Sequence, residues 1–201
     1  MSSVLPGLAQ RSSFPVGTAE PVRGLRIEPV EPVQITSIAS LRSGVGRLEE
    51  RIQSLWGMPL PRGPRLVRAD AVCLLGTGPG KWLLVQPGPT RSGPTVADAL
   101  SDSAAVSDLS GAFGVLRLSG SATRGLLSGG MFLDLHPSRF DSGAVAVSSL
   151  GDFTVIVWRA EDETGFYLAV PRSTAVDIWQ WLHRGARQIN GAPKPALAGA
   201  S

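Results

Sequence analysis

Apolar residues recur with a helical period in two long segments of the chain. The first follows Ser43-Gly44 and is expected to end at Gly57, with Pro59 just beyond it. The second follows Pro171 and is expected to end at Gly185. The apolar face comprises Val45, Leu48, Ile52, Leu55 and Trp56 in the first predicted helix, and Ala175, Ile178, Trp179 and Leu182 in the second.

Two shorter helices are predicted between the long ones. One opens at Pro94, whose fixed φ suits the first helical position. The other is capped by Ser119 or Ser121 and ends at Gly129-Gly130. The chain therefore contains four predicted helices.

Seven apolar or alternating runs predict strands between these helices. Residues 76–80 and Gly151-Asp152 connect two pairs of strands as hairpins. The order strand, helix, two strands, helix begins again at Gly114. The predicted fold class is α+β, with two packed ferredoxin-like split βαβ halves and disordered or extended termini. The predicted strands cover residues 33–38, 66–75, 82–85, 114–118, 145–150, 153–158 and 166–170.

Both ends of the chain lack a sustained apolar period. Residues 1–31 combine serine, proline, glycine and isolated charges, and cannot bury enough apolar surface to offset the entropy of ordering. Residues 186–201 have the same character. We therefore predict a flexible N-terminal segment over 1–31, one α/β domain over 32–185 with halves at about 32–108 and 109–185, and a flexible C-terminal tail over 186–201.

Composition narrows the classes of function. The 201 residues are 43% hydrophobic with a formal net charge of +3, and the arginines are interspersed with acids instead of forming the basic stripe of a nucleic-acid binder. No apolar run matches a transmembrane helix, and the first residues lack the pattern of a secretory signal. We expect no nucleic acid or membrane partner and a cytoplasmic location. Cys73, the only cysteine, lies in an apolar run and is interpreted as a buried, inert thiol.

Residues 76–81, Gly-Thr-Gly-Pro-Gly-Lys, only partly match a phosphate-binding loop. That loop requires four residues between its first glycine and the Gly-Lys pair, then Ser or Thr and a helix. Here three residues separate Gly76 from Gly80, Trp82 occupies the hydroxyl position, and a predicted strand follows. A hairpin turn is the better interpretation.

The residue types that carry catalysis are not found in catalytic spacing. His136 and His183 have no companion ligands at zinc spacing, and no Gly-x-Ser-x-Gly motif accompanies the serines. His136 is interpreted as a loop residue and His183 as a cation near a helix C-terminus. Asp108 is expected to hold the turn at Ser110 by side-chain hydrogen bonds. We therefore assign no catalytic, cofactor-binding or metal-binding residue to this chain.

Trp181 is the one candidate contact for a partner protein. Trp179 shares the inward face of the last predicted helix, whereas Trp181 is displaced to its flank. An indole at this position either meets a second layer of the same chain or marks a surface that another protein covers.

Three stretches carry a family resemblance: Leu116-Arg117-Leu118-Ser119-Gly120, Leu133-Asp134-Leu135-His136-Pro137 and the tryptophan-containing last helix. With Val155-Ile156-Val157-Trp158-Arg159 and the segment 167–173, they resemble the gamma subunit of heterotetrameric sarcosine oxidase over roughly residues 32–184. That family is similar to aminomethyltransferase (glycine-cleavage T-protein) and related folate-binding folds, in agreement with the predicted split βαβ halves.

The resemblance implies a non-catalytic subunit that supports oxidative demethylation of sarcosine to glycine. The products would be hydrogen peroxide and either formaldehyde or 5,10-methylenetetrahydrofolate. The implied partners are the alpha, beta and delta subunits, and FAD, FMN, NAD and tetrahydrofolate would be held by those subunits and not by this chain.

Two alternatives stay open: a stand-alone folate-binding aminomethyltransferase-like protein, and a scaffold subunit of an oxidase for another methylated amine. An independent aminomethyltransferase is expected to show several acids where this chain has Leu150-Gly151-Asp152-Phe153.

Overall fold

The computed structural model describes residue 14 and residues 24–41, 44–88, 95–159 and 165–191. The first half contains β1 (Arg26–Pro29), β2 (Val33–Ser40), α1 (Val45–Trp56), β3 (Leu66–Ala69), β4 (Val72–Gly78), β5 (Lys81–Pro87), α2 (Val96–Leu100) and β6 (Ala104–Asp108). The second half contains β7 (Phe113–Ser119), α3 (Thr123–Ser128), β8 (Val145–Leu150), β9 (Phe153–Arg159), β10 (Phe166–Pro171) and α4 (Ala175–Gly191). The α+β class is confirmed.

The strands form two antiparallel five-stranded sheets with equivalent orders. Sheet 1 has the order β3-β4-β5-β2-β6, and sheet 2 has the order β8-β9-β10-β7-β1. In each sheet, the outer strand (β3 or β8) lies beside a hairpin (β4-β5 or β9-β10). The hairpin lies beside the strand that precedes the first helix of that half (β2 or β7), and a closing strand completes the sheet. The closing strand of sheet 1 is β6, from its own half, whereas β1 closes sheet 2 from the N-terminal side of the chain.

Alternate residues of the central strands belong to different cores. On β5, Trp82 and Leu84 pack with α1 and α2, whereas Leu83 and Val85 lie between the two sheets. On β10, Leu168 packs with α3 and α4. This burial of both sheet faces produces four layers: α1 and α2, sheet 1, sheet 2, then α3 and α4.

The predicted end of α1 is confirmed, because Gly57 adopts the left-handed conformation at φ 67° that favours glycine. The apolar face of α1 is only partly buried. Leu48 and Ile52 are inaccessible to solvent, but Val45 and Leu55 are 46% and 44% exposed.

The predicted caps of the two short helices differ from the structure. Thr95 caps α2 through a capping box with Asp98, and the predicted opening residue, Pro94, lies outside the described residues. Helix α3 starts after Ala122 without a side-chain cap, so the prediction of a cap at Ser119 or Ser121 was wrong.

Part of the predicted flexible N-terminal segment is ordered. Strand β1 pairs with β7, with Arg26 opposite Ser119, and Phe14 is 2% exposed. The prediction of flexibility over 1–31 was therefore wrong for these residues, because β1 finds its partner far along the chain and needs no local period. Residues 1–13 and 15–23 lie outside the described residues.

The helix at the C-terminus continues past its predicted end. Helix α4 runs to Gly191, and Ala186 is fully buried, so the prediction of a terminator at Gly185 and a tail from 186 was wrong. A Cβ at residue 185 would lie 2.5 Å from Cδ1 of Leu126. Gly185 thus permits close packing of α4 on α3. Residues 192–201 lie outside the described residues.

Candidate functional site

The glycine-rich segment at residues 76–80 is a hairpin connection, as predicted. Strand β4 extends to Gly78 and β5 begins at Lys81, with an irregular register between Gly76 and Gly78. A strand, not a helix, follows the segment, so it lacks the helix N-terminus on which a phosphate-binding loop depends.

Asp108 and Ser110 hold the turn between β6 and β7, as predicted. The carboxylate of Asp108 accepts hydrogen bonds from the backbone N–H of Ser110 at 2.9 Å and from its hydroxyl at 2.6 Å. The Ser110 hydroxyl oxygen accepts a hydrogen bond from the backbone N–H of Ile35 at 3.0 Å. These contacts tie the link between the two halves to β2.

The two histidines lie in unrelated surroundings. His136 is an exposed loop residue, as predicted, with its backbone N–H donating to Asp134 and its Nδ1 2.7 Å from the hydroxyl of Ser138. His183 lies within α4, with its ring centroid 4.5 Å from that of Trp179. The interpretation of His183 as a C-terminal cation was wrong because the helix continues beyond it.

Burial lowers the pKa of His183, and the nearby charge of Arg187 lowers it further. Its Nε2 atom is buried without a hydrogen-bond partner. Both facts favour the neutral imidazole.

Within the described ranges, no group of three or more His, Cys, Asp or Glu side chains is placed to hold a metal ion. Among the described helices, none has the length and apolar character needed to span a bilayer.

A cleft of about 570 Å³ lies between the two sheets, beside the connection from β1 to β2. We call it the inter-sheet cleft. This volume is within the range of small-molecule sites. Sheet 1 contributes Arg68, Cys73 and Val85 to its lining, and sheet 2 contributes Val115, Arg117, Trp158 and Tyr167. Cys73 was predicted to be a buried thiol, but it is only half-buried and lies in this lining.

Cross-strand register forms the sheet 2 wall of the cleft. Arg117 lies opposite Tyr167 on β10, and Tyr167 lies opposite Trp158 on β9. The rings of Tyr167 and Trp158 are almost parallel, with an interplanar angle of 8° and centroids 5.3 Å apart. Sequence reasoning missed this row, because an arginine between buried apolar residues on β7 does not by itself identify its cross-strand neighbours. Arg159 also borders the cleft, but its guanidinium donates to the backbone oxygen of Phe140.

Trp181 contacts a second layer of its own chain. It is half-buried against the core formed by α3, α4 and sheet 2, and its ring lies directly over Gly130. Trp179, predicted to lie in the core, is also only half-buried, and its ring centroid lies 5.8 Å from that of Phe14. A partner contact at Trp181 stays a prediction.

The four-layer arrangement is shared with a chain of a multi-subunit oxidase. It matches a chain of the heterotetrameric sarcosine oxidase from Corynebacterium sp. U-96, solved in complex with pyrrole 2-carboxylate, with a TM-score of 0.74. The match covers 88% of this chain and 90% of that chain at 21% sequence identity. At this identity, the likeness shows the fold alone.

The chain belongs to the sarcosine oxidase, gamma subunit family, whose model matches residues 49–188. It is 30% identical over 113 residues to sarcosine oxidase subunit gamma of Arthrobacter sp., and 29% identical over 128 residues to that of Corynebacterium sp. (strain P-1). These alignments span 56% and 63% of this chain, and 56% and 62% of the two relatives. The family resemblance drawn from the sequence is confirmed.

Proposed function

We propose that this chain is the gamma subunit of a heterotetrameric sarcosine oxidase and binds the alpha, beta and delta subunits without supplying a catalytic group. The observation that carries the proposal is the family match over residues 49–188. The shared fold with a chain of a heterotetrameric enzyme supports it. A cytoplasmic location is part of the proposal.

In the proposed assembly, sarcosine, water and oxygen give glycine, formaldehyde and hydrogen peroxide. With tetrahydrofolate as acceptor, the one-carbon unit leaves as 5,10-methylenetetrahydrofolate. FAD, FMN, NAD and tetrahydrofolate belong to the partner subunits. His136 and His183 lie in separate surroundings, since Nδ1 of His136 contacts the hydroxyl of Ser138 in an exposed loop and the ring of His183 packs beside Trp179. The two imidazoles therefore do not share a site, which supports a non-catalytic role.

The equivalent sheet orders support a finer interpretation of the fold. Each half has a hairpin beside the strand that precedes its first helix, and its second helix follows the hairpin. We interpret each half as a ferredoxin-like split βαβ unit of the aminomethyltransferase-like, folate-binding type. In the second half, the closing strand would be supplied by β1.

The proposed contact with the larger subunits includes Trp181 and Phe132. Trp181 covers Gly130 and keeps part of its indole accessible, and Phe132, two residues further along, is 86% exposed. Exposed aromatic side chains of this size are frequent anchors of protein interfaces.

Co-expression of this chain with tagged partner subunits tests the assignment. We expect a stable complex that shows flavin absorbance and oxidises sarcosine. Phe132→Ala should weaken assembly by about 2 kcal/mol or more, the scale of an interface anchor. Leu55→Ala is the matched control, because Leu55 is 44% exposed on α1 in the other half of the molecule.

A chain that never co-purifies with flavoprotein subunits would contradict the proposal. Tight binding of tetrahydrofolate by the chain alone, together with transfer of a one-carbon unit, would favour the stand-alone aminomethyltransferase-like alternative. Normal assembly of the Phe132→Ala variant would place the contact elsewhere without affecting the family assignment.

A further inference from the structure

Another cavity of about 570 Å³ lies beside the glycine-rich connection of β4 and β5, and we call it the hairpin groove. Its walls are the start of α1, the segment 60–64 that follows α1, and the connection itself at residues 77–80. The volume is within the range of small-molecule sites. The lining residues that define its chemistry are Val45, Glu49, Pro61, Arg62, Thr77 and Trp82.

The buried part of this lining is apolar and held in place. Trp82 is only 6% exposed, and its Nε1 donates to the backbone oxygen of Pro61 at 3.0 Å. That bond uses the one donor of the indole, so Trp82 offers the groove ring surface only. Leu60 is also buried, and Val45 adds exposed apolar surface from α1. The groove can therefore cover an apolar group without rearrangement of the chain, which lowers the cost of binding.

Two charged side chains of opposite sign line the groove, Glu49 from α1 and Arg62 from the segment after it. Glu49 is half-buried and Arg62 is exposed. In the part of the chain that the structure describes, neither side chain takes part in an ion pair or a hydrogen bond, whereas Arg51 of α1 is paired with Asp102. The lining thus has no net charge, and a ligand that carries both charges complements it better than an ion of one sign.

The connection between β4 and β5 adds a further acceptor. The hydroxyl of Thr77 donates to the backbone oxygen of Lys81 at 3.3 Å, and its own oxygen can still accept a hydrogen bond. An ammonium group has three donors, so it can use this oxygen in addition to the carboxylate of Glu49. The guanidinium of Arg62 matches a carboxylate with two parallel N–H donors.

The single groove also limits how far apart the two charges of the ligand can be. A free α-amino acid carries its ammonium and its carboxylate on one carbon atom, whereas the terminal charges of a peptide are separated by its length. We propose that the hairpin groove binds a free α-amino acid with an apolar side chain of the size of leucine. Its side chain lies on Trp82, its ammonium on Glu49 and its carboxylate on Arg62. This site goes beyond the proposed supporting function and does not depend on it.

Titration calorimetry of the unmodified chain with L-leucine tests the proposal. Isopentylamine is the analogue without the carboxylate, and isocaproate is the analogue without the ammonium. Each should bind about tenfold or more weakly than L-leucine, because each loses one charge-assisted contact. Equally tight binding of either analogue would overturn the assignment of an amino acid, and a lack of saturable binding of L-leucine would overturn the site.

Substitutions in the lining then assign the two charges. Glu49→Gln and Arg62→Gln should each raise the dissociation constant of L-leucine about tenfold or more. Glu49→Gln should leave the binding of isocaproate unchanged, because isocaproate has no ammonium. Glu50→Gln and Arg47→Gln, at exposed positions of α1 outside the lining, are the matched controls and should bind L-leucine as the unmodified chain does. Unchanged binding of L-leucine by both lining variants would place the ligand elsewhere and overturn the proposal.

Discussion

Replacement of Gly130 by alanine tests how closely Trp181 packs on its own chain. A Cβ at residue 130 would lie 2.8 Å from Cη2 of Trp181 and closer still to Cζ2, so the rigid indole would have to move. Overpacking of this kind costs about 1–3 kcal/mol. Replacing glycine by alanine also lowers the conformational entropy of the unfolded chain, which stabilises the fold by about 0.4–1 kcal/mol and offsets part of this cost. We expect Gly130→Ala to lower the free energy of unfolding by about 1–2 kcal/mol, the difference between these effects.

Trp181→Ala supplies the second arm of a double-mutant cycle. Because Trp181 is only half-buried, its truncation should cost about 2 kcal/mol, less than the 3–5 kcal/mol typical of a fully buried aromatic residue. Without the indole, the methyl group at residue 130 meets no ring, so Gly130→Ala becomes neutral or slightly stabilising. The two changes should therefore couple by about 1–3 kcal/mol.

Urea denaturation of the unmodified chain, both single variants and the double variant, followed by far-ultraviolet circular dichroism, measures this coupling. Gly46→Ala combined with Trp181→Ala is the control, because a Cβ at residue 46 on α1 meets no atom within 4 Å. That pair should be additive. Additivity of Gly130→Ala and Trp181→Ala within about 0.5 kcal/mol would refute the packing described here.

Other predictions concern caps, protonation and the assembled enzyme. Thr95→Ala removes the capping hydroxyl of α2 and should lower the free energy of unfolding by about 1 kcal/mol in urea titrations; no change would show that the cap is dispensable. The hydrogen bonds from Thr95 lower the pKa of Asp98 in the folded chain. The ionised Asp98 therefore stabilises the fold above about pH 4, and this stabilisation is lost as the pH falls through the folded pKa. Asp98→Asn should remove this dependence of the free energy of unfolding on pH. The pKa of His183 is also lowered, so the unfolded chain binds more protons there and stability should decrease as the pH falls below about 6.5; melting curves of His183→Gln should lack this slope, and an identical slope would show that another group titrates. The purified chain should be colourless, and His136→Ala should leave turnover of the assembled oxidase within a few-fold of normal; a loss of about a thousand-fold with intact assembly would identify a catalytic group.

Local sequence patterns predicted those parts of the fold whose partners are near in sequence. Strand β8 matches its predicted range, and the hairpin at Gly151-Asp152 joins β8 to β9. The predicted strand over 66–75 is divided in the structure, because Asp70 adopts a φ of 50° that turns the chain back. A continuous apolar run does not show such a turn.

Features that depend on distant partners were not predictable from periodicity. Strand β1 is defined by its pairing with β7, and β6 by its pairing with β2. A glycine in a helical pattern can either end the helix or allow another element to pack closely against it. Gly185 was interpreted as the end of the helix, and only the position of Leu126 in the structure shows that it permits close packing.

The inter-sheet cleft was missed for a related reason. Arg117, Tyr167 and Trp158 lie on three strands that are separated along the chain, and only the sheet order places them side by side. Without that order, an arginine in an apolar strand has no identifiable neighbour. The one residue predicted from the sequence as a partner contact, Trp181, was chosen from a pattern that lies within a single helix, and that contact stays a prediction.

The closure of sheet 2 by β1 has a consequence for synthesis of the chain. The ribosome releases β1 before its partner β7, so the second sheet cannot close until the whole of the first half has been made. The first half, by contrast, contains every strand of sheet 1 and can close as soon as β6 emerges. A version of the chain that starts at Val33 would leave the edge of β7 unpaired, and open strand edges promote association between chains. Tags and truncations for expression should therefore leave β1 intact.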